Sequence, residues 1–185
     1  MDDGRMELGG ISHLALVCRD MARTVAFYEG ILDMALVKTV ELPVGMGQHF
    51  FFDCGGGDLL AFFWFPDAPD PVRGIRGPMA RPDTGELVSA AGSMNHVAFK
   101  VPPERIDEYR DRLIAAGVEC SETFNHDDSE WGLARDVYPG VWMRSVYFFD
   151  PDGILLEIAA TTRALTPDDV GHSPATASRT TQPAS

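Results

Sequence analysis

Residues 148–158, FFDPDGILLEI, place a turn between two apolar runs. The central DPDG combines residues that favour tight turns, so the flanking runs are predicted to pair as antiparallel strands. Glu157 lies between two apolar neighbours in the second run. A buried carboxylate destabilises a fold unless a positive group holds it. The hairpin therefore raises the question of which partner Glu157 has.

The same hairpin occurs earlier in the chain. Residues 51–63, FFDCGGGDLLAFF, repeat the pattern, and counting from the last glycine of each turn aligns Ala61 with Glu157. Two further segments also match, because ISHLALV (11–17) and MNHVAFKV (94–101) are alternating strand patterns that each carry an early histidine. A repeat of this length predicts two copies of one supersecondary unit.

A helical pattern follows each of these first strands. The first runs from Asp20, a residue type suited to the N-cap, through DMARTVAFYEGIL. The second, PPERIDEYRDRLIAAG, has Pro103 in its first turn and Gly117 as its stop. Three strand-like runs follow each helix, so each unit is predicted to be a βαβββ module. The fold class is therefore α+β, with the two modules pairing around a shared core.

The predicted organisation is a single domain with extensions at both ends. A segment rich in Pro and Gly separates the modules and is predicted to be a linker or lid. The C-terminal segment is polar and is predicted to be disordered, which makes His172 inert. The boundaries are 1–10 for the N-terminal extension, 11–160 for the domain, 11–65 for module one, 66–92 for the linker, 94–160 for module two and 161–185 for the tail.

Composition narrows the function classes. The 185 residues carry a formal net charge of -13, which argues against nucleic acid or an anionic membrane as a partner. No apolar run approaches the roughly 20 residues of a membrane span, and the acidic start has no signal-peptide core, so a cytoplasmic protein is expected. The three cysteines show no paired spacing, which argues against cysteine chemistry.

Three side chains with metal-binding chemistry lie within the repeat. His13 and His96 hold equivalent positions in the first strands of the modules, and Glu157 is in the last strand of module two. A single histidine in an apolar strand is more often a core residue. If the modules pack by pseudo-symmetry, however, the two histidines approach each other near the axis and Glu157 points into the same space. Two imidazoles and one carboxylate on one side of an ion are typical of non-haem Fe(II) sites.

The paired modules and the phrase SHLALVCRDMARTVAFYEGIL (12–32) resemble the vicinal oxygen chelate superfamily. That group includes glyoxalase I, methylmalonyl-CoA epimerase, fosfomycin-resistance and bleomycin-resistance proteins, and extradiol ring-cleaving dioxygenases. The resemblance covers roughly residues 10–160. It implies that the paired modules form an open barrel around a divalent metal held by His13, His96 and Glu157.

Within the superfamily, one position separates the reaction classes. Glyoxalase-like and epimerase-like members use a fourth protein ligand from the last strand of module one, where this chain has Ala61. The stretch 146–157 also resembles the extradiol signature from its aliphatic position onward. In that signature Tyr147 falls where the family places a tyrosine that hydrogen-bonds the substrate. The resemblance thus implies an Fe(II)-dependent extradiol dioxygenase that takes a catechol-like aromatic substrate and O2.

The chain also departs from that signature. The expected histidine between Val137 and Gly140 is missing, and 78–92 contains none either. His126 is the candidate replacement as proton-transferring base, from a loop at the cavity mouth, with Asp127 and Asp128 raising its pKa.

Two further side chains lie in predicted strands of the modules. His49 is interpreted as structural. Arg144 is predicted to pair either with an anionic group of the substrate or with a surface carboxylate.

Two other functions compete with the dioxygenase. One is a redox-neutral enzyme using the same cage, such as an isomerase, a lyase or a thiol- or water-transferring enzyme with Mn(II), Ni(II) or Zn(II). The other is a non-catalytic binding protein of the bleomycin-resistance type. A homodimer is expected, with the modules paired either within the chain or by exchange between chains.

Overall fold

The computed structural model describes residues 10–171 and 173–174; most of the N-terminal extension, His172 and most of the tail lie outside the described residues. The α+β class and the two βαβββ modules are confirmed. Module one contains β1 (His13–Cys18), α1 (Met21–Tyr28), β2 (Leu36–Leu42), β3 (Gly47–Asp53) and β4 (Leu59–Trp64). Module two contains β5 (Val97–Lys100), α2 (Ile106–Ala115), β6 (Phe124–His126), β7 (Leu133–Ala134), β8 (Met143–Phe149) and β9 (Leu155–Thr161). Three short 3-10 turns lie at Pro43–Gly45, Pro103–Arg105 and Pro167–Asp169.

Each module forms its own sheet. The strand orders are β1-β4-β3-β2 and β5-β9-β8-β6-β7, and the first strand of each module pairs in parallel with its last. The register repeats as well: Ala61 pairs with Phe51 in module one, and Glu157 pairs with Tyr147 in module two. The alignment of Ala61 with Glu157 therefore holds in three dimensions.

The helices begin as their sequences predict. Asp20 is the N-cap of α1, and its carboxylate accepts a hydrogen bond from the backbone N–H of Arg23 at 3.0 Å. A 3-10 turn that starts at Pro103 precedes α2, and Gly117 follows it with a φ of 84°. The left-handed backbone at Gly117 ends the helix at low cost because glycine has no Cβ.

One continuous core joins the modules. It contains Phe62 from β4, Phe148 from β8 and Leu156 from β9, all fully buried on the helix-bearing faces of the sheets. The hydroxyl of Tyr28 in α1 donates to Asp150 Oδ2 at 3.1 Å, which ties module one to the hairpin of module two. Since side chains alternate along a strand, Glu157 points away from this core.

Module two departs from module one at a single connection. A short turn joins β2 to β3, whereas residues 127–142 separate β6 from β8 and include the two-residue strand β7. The first strand-like run after α2, VECSETF (118–124), is only partly a strand, because β6 begins at Phe124. Residue 120 makes only an isolated bridge to Phe148.

The linker between the modules is anchored on the DPDG turn. The guanidinium of Arg76 donates to the carbonyl oxygens of Asp152 and Gly153 at 2.7 and 2.8 Å. Arg73 lies over the ring of Phe149 at 5.2 Å. Among the helices of residues 10–171, none has the length and apolar character to cross a bilayer.

Candidate metal centre

Glu157 has a direct partner within the chain. Its Oε2 lies 2.9 Å from Nε2 of His96, and its side chain is only 2% exposed. The two residues come from adjacent parallel strands, because Ala98 of β5 pairs with Glu157 of β9 and His96 lies just before β5. The tertiary structure thus brings together two of the three predicted ligands.

The orientation of His96 favours metal binding. Its Nδ1 lies 2.8 Å from Oδ1 of Asn95, so a proton on Nδ1 leaves Nε2 as a lone-pair donor. In the same way, Nδ1 of His13 lies 3.3 Å from the hydroxyl of Ser12. Outer contacts of this kind orient ligating histidines in metal sites.

One oxygen of Glu157 is unsatisfied. Oε1 is buried and, among the residues that the structure describes, has no hydrogen-bond partner. A buried carboxylate oxygen without a partner is costly, and in native proteins such an atom needs an explanation such as a bound ion. A divalent cation beside His96 would satisfy it, so the residues present fit a metal.

His13 does not join this pair within the chain. It lies in the other sheet, where β1 pairs with β4, and its side chain is exposed. Over residues 10–171 and 173–174, the structure contains no group of three or more His, Cys, Asp or Glu side chains that could hold a metal. The sequence left open whether the modules pair within the chain or between chains; within one chain His13 does not reach the His96–Glu157 pair, because the modules pack by their helix-bearing faces.

Tyr147 lies beside the pair. Its ring centroid is 5.8 Å from that of His96, and it pairs in register with Glu157. Burial, together with the nearby charge of Glu157, raises the pKa of Tyr147 to about 12. The phenol therefore keeps its proton at neutral pH and can donate a hydrogen bond into the site.

His126 lies on the same face of the sheet, but its environment differs from the prediction. It is the last residue of β6 rather than part of a loop, and its Nε2 is buried without a hydrogen-bond partner in the described chain. Burial lowers the pKa of His126, although Glu157 and Asp127 act in the opposite direction. The expected rise in pKa from the neighbouring acidic residues is wrong, because desolvation is the larger effect.

Sequence reasoning gave no site role to two polar side chains, because it interpreted His49 as structural and did not single out Ser145. In module one, His49 lies on the face of His13, stacked on Phe63 with centroids 3.6 Å apart, and burial lowers its pKa. In module two, the hydroxyl of Ser145 is fully buried. Within the described residues, neither His49 Nε2 nor Ser145 Oγ has a hydrogen-bond partner. Strand alternation relative to Ala61 and Glu157 was the signal available for both.

The contacts of Arg144 show which kind of group its guanidinium pairs with. It points to the helix-bearing side, where it donates to both carboxylate oxygens of Asp107 at 3.0 Å and to Asn125 at 3.1 Å. Arg144 therefore supports the packing of α2 on the sheet and is not directed at the candidate site.

Comparison with known proteins identifies the relatives of this chain. FosX from Listeria innocua, named a fosfomycin resistance protein, is 26% identical over 84% of this chain and 92% of its own length. FosB from Shouchella clausii, named a metallothiol transferase, is 27% identical over 85% of this chain and 84% of its own length. The crystal structure of SMU.1112c superposes with a TM-score of 0.59, at 26% identity, over 83% of this chain and 99% of that one.

These relatives correct the predicted reaction. They are fosfomycin resistance proteins and a thiol transferase, so the prediction of a ring-cleaving dioxygenase in aromatic catabolism, with an aromatic substrate and O2, is wrong. The prediction was based on the number of predicted metal ligands, three, and on the partial match to the extradiol signature. Both features describe the metal site, and neither determines which reaction the site catalyses. The metallothiol name supports a bound metal, and none of the names supports iron specifically.

The family itself follows from a match that spans most of the chain. The model of the glyoxalase, bleomycin resistance protein and dioxygenase superfamily matches residues 10–158, which include module one, nearly all of module two and all three predicted ligands. The chain belongs to this superfamily.

Proposed function

We propose that the protein is a redox-neutral, metal-dependent enzyme that adds water or a thiol to a strained electrophile such as an epoxide. The contact of His96 with Glu157, whose second oxygen is buried and unpartnered among the described residues, carries this proposal. An imidazole beside a carboxylate suits a divalent cation that acts without changing its oxidation state. The names of FosX and FosB support this chemistry, because fosfomycin is a small phosphonate that carries an epoxide.

The third ligand, in this proposal, comes from a second copy of the chain. His13 is exposed on a sheet face that also presents Phe51 and Phe63, both half-buried. If this face covers the face of Glu157 in the partner, each site receives one histidine from one copy and the His96–Glu157 pair from the other. A two-fold dimer would then hold two equivalent sites.

Each nearby side chain has a proposed task. A divalent metal bound at this centre would polarise a substrate oxygen as a Lewis acid. The Tyr147 hydroxyl would donate a hydrogen bond to the substrate, since its raised pKa keeps it protonated. His126, whose lowered pKa keeps it neutral, would accept or return a proton through Nε2.

The identity of the metal stays open among Mn(II), Zn(II), Ni(II) and Fe(II). Mixed imidazole and carboxylate ligands suit all four, and affinity alone does not select among them. The ligand set and the resemblance to extradiol dioxygenases suggested Fe(II), and the relatives do not support the dioxygenase reaction.

The test is turnover of an epoxide by the metal-loaded protein. Purified apo-protein would be loaded with each metal and incubated with fosfomycin, in water alone and with a panel of thiols, and the phosphorus NMR spectrum followed for the ring-opened product. We expect a new resonance that requires metal and is lost in Glu157→Gln. The matched control is Glu122→Gln, because Glu122 is 85% exposed on the same module. Absence of product from fosfomycin and from simple epoxides, with every metal, contradicts the proposal.

A further inference from the structure

His49 is a half-buried imidazole, with a buried Nε2, that the proposed site does not yet use. It lies between two aromatic rings, with its centroid 3.6 Å from that of Phe63 and 4.2 Å from that of Phe51. The rings fix the plane of the imidazole but offer no hydrogen-bond acceptor or strong donor. Its Nε2 is buried and has no hydrogen-bond partner in residues 10–171 and 173–174. The fold therefore holds this nitrogen firmly and leaves it unsatisfied, which is typical of functional groups.

The face on which His49 lies is the one that carries His13. The ring of Phe51 links the two histidines, because its centroid is 5.8 Å from His13 and 4.2 Å from His49. His49 pairs with Phe63, two residues beyond Ala61 on β4. It is thus displaced along the sheet from the predicted ligand and is placed to contact what the metal binds rather than the metal.

The repeat gives His49 a counterpart in module two. Ser145 pairs with Ala159, two residues beyond Glu157, as His49 pairs with Phe63, two residues beyond Ala61. Both equivalent positions carry a buried polar atom that lacks a partner among the described residues. In both modules, the position two residues beyond the aligned pair of Ala61 and Glu157 therefore presents a polar atom that the described part of the fold does not satisfy.

From this placement we infer that His49 is the residue that contacts the attacking water or thiol and takes its proton. This inference rests on the proposed function. It adds a catalytic residue, His49, which the sequence analysis interpreted as structural. The base and His13 would come from one copy, and the His96–Glu157 pair from the other.

The proposed step balances. As the oxygen of water, or the sulfur of a thiol, forms its bond to an epoxide carbon, its proton moves to Nε2 of His49. The carbon–oxygen bond of the ring breaks, and its electron pair goes to the ring oxygen. That oxygen then receives a proton from solvent, and His49 returns its own proton to solvent. The products are a diol or a hydroxy-thioether, with no net oxidation.

The experiment compares three variants in the metal-loaded protein. His49→Phe keeps an aromatic ring in the stack and removes Nε2, whereas His49→Ala leaves a space that free imidazole can enter. The control is Phe65→Leu, which changes the outer ring of the same stack, 5.4 Å from Phe63. The measurements are kcat with fosfomycin or the best epoxide, Mn(II) affinity by calorimetry, and the Tm of the apo-protein.

For His49→Phe we expect kcat to fall about 100-fold or more, which is the usual contribution of a general base, while Mn(II) affinity changes less than about threefold. The Tm should rise, because a buried unpartnered nitrogen is removed. Added imidazole should restore kcat in His49→Ala, and Phe65→Leu should resemble the wild type.

Three results overturn the inference: wild-type kcat in His49→Phe, a parallel fall of Tm and Mn(II) affinity with kcat, or failure of imidazole to restore His49→Ala. If the wild-type protein opens no epoxide at all, it is the proposed function that fails. In that case the Tm of His49→Phe still tests whether Nε2 has a structural role. A lowered Tm would show that Nε2 makes a stabilising hydrogen bond within the fold. A raised Tm would show that Nε2 is available for a contact with a ligand.

Discussion

The DPDG hairpin contains two buried carboxylates that differ in how far their oxygens are satisfied by hydrogen bonds. Asp150 is fully satisfied, since Oδ1 accepts from the backbone N–H groups of Asp152 and Ile154 at 2.9 and 2.7 Å, and Oδ2 accepts from Tyr28. Glu157 has only His96 and one unpartnered oxygen among the described residues. A satisfied carboxylate is explained by the fold, whereas an unsatisfied one indicates a ligand. At the scale of single residues, this difference separates structure from function.

Asp150 leads to a prediction about pH. Burial raises the pKa of Asp150 from 3.8 to about 6. The folded state therefore prefers the protonated carboxyl, and its stabilising contribution is complete below pH 3.8 and is lost as pH rises through about 6. The stability of the wild type relative to Asp150→Asn should fall by about 2–3 kcal/mol between pH 3.5 and pH 7, measured by urea unfolding.

The control for this prediction is Asp53→Asn. Asp53 ends the matching FFD of module one but is exposed. The variant makes the same substitution at an exposed position, and its unfolding is measured beside that of Asp150→Asn at each pH. If the stability difference between wild type and Asp150→Asn does not vary with pH, burial does not disfavour the charged form of Asp150.

At the scale of elements, pattern reasoning succeeded where local chemistry dominates. The N-cap at Asp20 and the turn at Pro103 mark helix starts because their side chains act on the adjacent backbone. Pattern reasoning failed at β6 and β7, because strands of three and two residues are too short to show an alternation of apolar and polar residues. Such short strands exist because β8 offers hydrogen-bonding groups to β6, and β6 offers them in turn to β7, which only the assembled sheet provides.

One glycine controls how β3 meets β4. Gly47 begins β3 with a φ of 138°, and a Cβ there would lie 1.9 Å from the carbonyl oxygen of Trp64. Gly47→Ala should lower the free energy of unfolding by roughly 3 kcal/mol or more, because the strained backbone and the collision add together. Chemical denaturation measures this loss.

Gly45→Ala is the matched comparison. Gly45 also has a left-handed φ, 73°, but a Cβ there meets nothing within 4 Å. Its substitution should cost only about 1–2 kcal/mol, the penalty of the backbone conformation alone. Equal losses in both variants would show that the approach of Trp64 to Gly47 does not matter.

For the whole molecule, the decisive feature is which faces of the sheets pack together. The core lies between the helix-bearing faces, and it contains Phe62 of module one together with Phe148 and Leu156 of module two. Because of this packing, His13 lies on the outer face of one sheet and Glu157 lies on the outer face of the other, so the two side chains do not meet within one chain. A second copy of the chain, as proposed above, would bring His13 to the His96–Glu157 pair.

Mixed dimers test this sharing of the site. His13→Ala and Glu157→Ala should each be inactive alone. After the two are unfolded and refolded together, one site of each mixed dimer regains both wild-type halves, so about a quarter of wild-type activity should return. If all ligands belong to one chain, no mixture recovers activity, because every chain then lacks a ligand. Size-exclusion chromatography with light scattering verifies that the refolded species are dimers.

Much of the fold and part of the site were predictable from the sequence. The repeat, the turn residues and the apolar periodicity specify two βαβββ modules, since they depend on contacts between near neighbours in the chain. The alignment of Ala61 with Glu157 and the contact of Glu157 with His96 follow from that repeat. The contact was predictable because His96 directly precedes the first strand and Glu157 lies in the last strand of one module, and these strands pair in parallel; their role as ligands stays a proposal.

Other properties required the tertiary structure. The lowered pKa of His126, the unpartnered nitrogen of His49 and the separation of His13 from Glu157 all depend on what surrounds each group after folding. Burial and face-to-face packing are collective, so no local pattern encodes them. The sequence by itself determined the modules and the chemistry available to them, and only the tertiary structure decided which groups are desolvated, which lack a partner and which face a second copy would have to cover.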